Sequence, residues 1–137
     1  MRKLMILMIA LSFMMSGCAK NIYHIYLFTL DTCGSCQSLK SAIGDIEKEH
    51  QEIYVTIYDL DTPKNMKIYK KALSLLKGYK GNKQVVPLML MDGYFGKVGY
   101  KANEKKQLAN DIEKVVKSHV IPSDHSLYAV KTKLENK

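Results

Sequence analysis

Two cysteines separated by two small residues, Cys33-Gly34-Ser35-Cys36, stand where an apolar run ending at Leu30 gives way to a helical pattern. A helix starting here, with Asp31 and Thr32 as N-cap candidates, carries both thiols in its first turn. Unpaired backbone N–H groups and the positive end of the helix dipole favour thiolate over thiol at such a place. Thiolate is the form that attacks disulfides, and Cys36 is placed one turn on to resolve the mixed disulfide. The spacing points to a redox dithiol. Two other uses of the same residues remain. A structural disulfide between them closes a very short loop and constrains little of the unfolded chain. A zinc site takes four ligands, and His24, His50, His119 and His125 show no i, i+4 pair to complete one around two sulfurs.

The third cysteine, Cys18, belongs to a different unit. Arg2 and Lys3 make a basic start, residues 4–15 are an uncharged apolar run, and Ser16-Gly17-Cys18 follows. This three-part layout is that of a secretory signal peptide, and the run is shorter than the about 20 apolar residues of a membrane span. Met15-Ser16-Gly17-Cys18 resembles the bacterial lipobox, with methionine where leucine is usual. The expectation is a lipoprotein signal peptide over residues 1–17 and a lipidated Cys18, with residues 18–21 as a short linker. An ordinary signal peptide cleaved beside a cysteine is the alternative, and it leaves an odd exposed thiol that lipidation removes. At about 0.8 kcal/mol per buried CH₂, two or three acyl chains anchor stably to a lipid bilayer where one does not. The expected location is extracytoplasmic, on a bacterial membrane.

From Cys18 onward the chain is the size of one compact domain. The formal charge is +8, and losing Arg2 and Lys3 with the signal leaves +6. Arginine is absent after Arg2. Base reading and bidentate phosphate contacts rely on arginine, so no nucleic acid is expected as a partner. Lysines dispersed over the surface read as a solvated exterior that also suits an anionic bilayer.

The elements that must hold the dithiol follow from periodicity. Residues 22–30, rich in Ile, Tyr, Phe and Leu, read as a strand buried on both faces. Leu39, Ala42, Ile43 and Ile46 recur at helical spacing over residues 35–50, and residues 52–60 read as a second strand. Thr62 and Pro63 offer a cap and first position to another helix, whose buried stripe is Met66, Tyr69, Leu73 and Leu76. After a polar loop over residues 79–84, residues 85–91 and 94–100 flank Asp92-Gly93, a strong hairpin signal. Residues 102–120 read as an amphipathic helix, with Leu108, Ile112, Val115, Val116 and a partly buried His119 on one face. Residues 121–137, charged and weakly periodic, read as a loose tail or an added short helix.

That order, βαβ-α-ββ-α with the dithiol at the first strand–helix junction, resembles the thioredoxin-like superfamily over residues 22–120. Val86-Pro87, ahead of Leu88-Met89-Leu90-Met91, stands where members carry a cis-proline facing the dithiol. The resemblance implies an α/β fold, a three-layer sandwich around a central mixed sheet, with a cis bond at Pro87. It also implies that the Val86 backbone bonds a substrate strand, that Pro87 keeps metal from the thiols, and that Thr32, Gly34 and Ser35 shape the contact surface. Departures bear on mechanism. The chain has no tryptophan, and Leu27 stands where thioredoxin buries the aspartate that takes the resolving thiol's proton. The proton would go to water, to Tyr26 or to a partner group. Ser35 replaces the histidine of strong oxidants, so a very oxidising potential is not expected. Glutaredoxin-type glutathione binding is a further option, with Lys64 and Lys83 as the cations that could reach the site.

The expected function is thiol–disulfide exchange in which Cys33 attacks and Cys36 resolves, with no cofactor beyond that disulfide. The expected partners are cysteine-containing envelope or secreted proteins and a membrane redox partner for recycling. The rival is a non-enzymatic lipoprotein of the same fold that holds metal at the dithiol or docks a protein.

Overall fold

β1 (Tyr23–Thr29) is apolar at most positions because the sheet buries both of its faces. The computed structural model describes Gly17 and residues 20–135. The signal-peptide assignment, Gly17 apart, and the lipidation site Cys18 lie outside the described residues. After β1 come α1 (Gly34–Glu49), β2 (Ile53–Asp59), α2 (Pro63–Ser74), β3 (Leu88–Met91) and β4 (Phe95–Val98). A 3₁₀ turn (Ala102–Glu104), α3 (Lys105–Ser118) and β5 (Leu127–Ala129) complete the order. The strands form one open mixed sheet, β2-β1-β3-β4-β5. β1 pairs in parallel with β2 and antiparallel with β3, and β3, β4 and β5 pair antiparallel in turn.

Alternation along the strands divides the core in two. Ile25, Leu27, Met89 and Met91 face α1 and α3, packing on Leu39, Ile43, Leu108 and Ile112. Phe28, Leu88 and Leu90 face α2, packing on Tyr69, Ala72, Leu73 and Leu76. Helices therefore cover both faces of the sheet, as the sequence suggests. Gly93, at φ 80°, supplies the positive φ that the hairpin turn needs. The hairpin strands are four residues each, shorter than their apolar runs. None of the helices among the described residues is long and apolar enough to cross a membrane.

Two expectations are corrected. Residues 121–135, the described part of the last stretch, are neither a loose tail nor a helix: Leu127–Ala129 pairs with β4, and Val130 and Leu134 are buried in the α2-side core. Three strand residues are too few to show a period, so the sequence hides them. His119 is exposed rather than partly buried. It caps α3 in the left-handed region at φ 54°, with its Nδ1 3.0 Å from the Tyr23 hydroxyl.

Candidate functional site

The site grows from the C-terminal end of β1. Thr29 ends the strand, the Leu30 carbonyl accepts the Cys33 N–H at 3.2 Å, and the turn delivers the chain to α1. The cap of α1 is Cys33 itself rather than Asp31 or Thr32. Its backbone is extended (φ −93°, ψ 113°), and its Sγ accepts the Cys36 N–H at 3.2 Å. A sulfur thus occupies the place where a hydroxyl or carboxylate oxygen usually meets the free N–H groups of a first turn. Asp31 serves outside the helix: its carbonyl accepts from Gln37 Nε2, and its carboxylate pairs with Lys40 at 3.5 Å.

Cys33 and Cys36 are disulfide-bonded, with Cα atoms 5.2 Å apart. They are not equivalent. Cys33 is half-buried, whereas Cys36 is fully buried. Thr32, Gly34 and Ser35 are exposed around Cys33, and a Cβ added at Gly34 would meet nothing within 4 Å. The sulfur nearer solvent has an open approach, and the other is reached only through it.

Sheet register brings the proline segment to the same end. Phe28 pairs with Leu88 at the end of the β1–β3 ladder, so Pro87 and Val86, which precede Leu88, lie at the end of the sheet where β1 leads on to Cys33. The Val86-Pro87 bond is cis, as expected. Pro87 is buried, and its carbonyl accepts the Gly99 N–H at 2.8 Å. The half-buried Val86 makes no backbone hydrogen bond among the described residues. Its neighbour is held firmly, since the Tyr69 hydroxyl on α2 donates to the Val85 carbonyl at 2.8 Å.

Tyr69 gives this anchor a pH signature. Burial pushes its hydroxyl up to about 12. The protonated form is thus favoured by folding, so the contribution is whole below pH 10 and drains away as the pH climbs towards 12. Tyr69→Phe is expected to cost about 1 kcal/mol at pH 7 in urea unfolding. It should also flatten the alkaline loss of stability, and parallel curves for the two proteins would refute the anchoring role.

The structure separates other residues from the dithiol. Tyr26 faces α2, with its ring 5.9 Å from that of Tyr58, so the sheet stands between it and the buried Cys36. It is therefore not the acceptor of the resolving proton. Leu27, on the α1 side, is fully buried among apolar side chains. Beside it on that face β1 buries the polar Thr29, which sequence reasoning passed over because a threonine is unremarkable in a strand. Lys64 and Lys83 are exposed, near the start of α2 and on the loop after it, and neither is hydrogen-bonded to the cysteines. Sequence reasoning also missed a buried polar group under α3. Lys97 reaches Glu104 at 3.3 Å and Ser126 at 3.4 Å, and nearby burial pushes the Asp111 carboxyl up. A lysine in a hairpin strand and an aspartate mid-helix give no signal of burial.

Protein-family models, curated proteins and solved structures contain no match to this chain. The functional reading therefore stands on the site itself. Among the described residues, no three His, Cys, Asp or Glu side chains come together as a metal-binding group.

Proposed function

We propose that this protein is a thioredoxin-like thiol–disulfide oxidoreductase, held outside the cytoplasm by a lipid on Cys18, that exchanges disulfides with cysteine-containing envelope or secreted proteins. The observation that carries the reading is the asymmetry of the pair at the head of α1: a reachable Cys33 bonded to a buried Cys36.

In the reducing direction, the Cys33 thiolate attacks one sulfur of a substrate disulfide. The Cys33–substrate bond forms as the substrate S–S bond breaks, and the departing thiolate takes a proton. Cys36 then gives up its proton and attacks Cys33, forming the internal disulfide and expelling the second substrate thiolate, which is protonated in turn. Two electrons and two protons pass to the substrate, and the reverse sequence oxidises a dithiol. Thr32, Gly34 and Ser35 frame the attacking sulfur, while the Val86 backbone, unbonded among the described residues, lies ready for a substrate strand beside it. A membrane redox partner restores the starting state.

Equilibration in glutathione buffers followed by alkylation of free thiols tests this. The Cys33–Cys36 potential is expected between about −270 and −120 mV, the span of exchange proteins, with values below about −220 mV marking a reductant. A potential below about −300 mV marks an inert structural staple and would overturn the reading.

A further inference from the structure

The lysines are not dispersed. Residues 62–91 hold seven lysines and no Asp or Glu, whereas the rest of residues 20–135 holds eleven lysines against thirteen acidic residues. The surplus positive charge thus sits on α2 and the loop that follows it. Elsewhere five of the eleven lysines pair with carboxylates among the described residues, including Lys40 with Asp31 and Lys105 with Asp45. None of the seven makes such a pair among the described residues. Asp59 and Asp61, just ahead of α2, make no ion pair with them, and among the described residues Lys71 donates only to the Glu135 backbone carbonyl.

This surface begins at the dithiol. β2 runs parallel to β1, so the chain enters α2 at the Cys33 end, and Lys64 follows immediately. Lys83 precedes Val86 by three residues. The N-terminal segment enters β1 at the opposite end. The surface also has relief. Tyr58, Ile68, Lys64, Lys67, Lys71 and one acidic residue, Glu135, line a hollow of about 410 Å³, and Tyr79, Lys70, Lys80 and Lys83 line another of about 380 Å³. A bilayer presents a plane of headgroups, whereas tyrosine-walled hollows accept protruding side chains.

From this charge and shape we infer that the preferred partners of the dithiol are acidic proteins, drawn by the α2 lysines so that their disulfide or dithiol arrives at Cys33. The inference rests on the exchange reading above and names its substrate class. Complementary charge of this kind acts mainly on encounter rate, through a field that salt screens.

The test offers the reduced protein two peptides, each with one internal disulfide, that differ only in carrying four aspartates or four serines. The rate of Cys33–Cys36 disulfide formation is read for both. The aspartate peptide is expected to react ~10-fold faster at low ionic strength. In 0.5 M NaCl, where the screening length falls between about 3 and 8 Å, the ratio should drop below about 2. The combined variant Lys64→Ser, Lys67→Ser, Lys71→Ser, Lys83→Ser should lose the preference at low salt, and the four Lys→Arg replacements should restore it. Equal rates for the two peptides would overturn the inference and leave exchange standing. A preference that survives the serine variant would remove it from this face. Equal rates together with lysine-dependent capture on phosphatidylglycerol vesicles, but not phosphatidylcholine ones, would assign the surface to a bilayer. Reaction with neither peptide would overturn exchange and the inference together.

Discussion

Cys33→Ser is expected to reduce insulin no faster than the dithiothreitol background, while Cys36→Ala is expected to accumulate as a covalent adduct with its substrate. The two outcomes differ because the two sulfurs differ in access. Cys33 is half-buried at an open helix start, so its loss removes the attacking thiolate. A serine hydroxyl in its place stays protonated at neutral pH and does not displace sulfur. Cys36 is fully buried and reaches only Cys33. Without it the first step still runs, but the mixed disulfide has no internal thiol to resolve it and persists on a non-reducing gel. Alanine is chosen at position 36 because it leaves no unpaired hydroxyl in the core, an addition that costs about 1–3 kcal/mol. Wild-type activity in Cys33→Ser would end the exchange mechanism. An adduct formed by Cys33→Ser and not by Cys36→Ala would reverse the two roles.

The part of this site that lies in one stretch of chain was legible, and the part assembled by packing was not. Strand, turn and helix around the cysteines follow from apolar runs and helical spacing, because local periodicity is what those elements need in order to bury a face. The cap was misassigned to Asp31 or Thr32 because oxygen side chains are the usual caps; that Cys33 fills the role appears only once the turn after Leu30 is closed. Val86-Pro87 could be placed beside the dithiol only through the family resemblance, because a proline at a strand start marks where the strand begins and not what it faces. Which side of the sheet Tyr26 faces was equally available from alternation, yet its role as proton acceptor needed the helices assigned to their faces. The lysines were visible as a count but not as a surface, since charge segregation depends on which acids fold back against them.

The end of the chain shows the same limit most sharply, and it yields the second large effect. Deleting residues 123–137 is expected to destabilise the protein by about 3–6 kcal/mol, since Val130 and Leu134 are each 5% exposed and a fully buried aliphatic side chain contributes about 1.5–3 kcal/mol. Set against a typical total of about 5–15 kcal/mol, that loss should lower Tm by at least about 10 °C. A solvated tail would contribute within about 0.5 kcal/mol, so an unchanged Tm would refute the packing described here. The damage should also reach the site. The Ala129 carbonyl accepts the Lys77 N–H, Lys131 N–H donates to Leu75, and Val130 bridges Leu76, so the segment clamps the C-terminal end of α2. That helix carries Tyr69, whose hydroxyl holds Val85 next to Val86. Loosening the clamp should therefore slow exchange with a peptide that needs the Val86 backbone more than exchange with a small disulfide such as oxidised glutathione. Equal slowing of both would mean that the segment supports the fold without positioning the substrate strand.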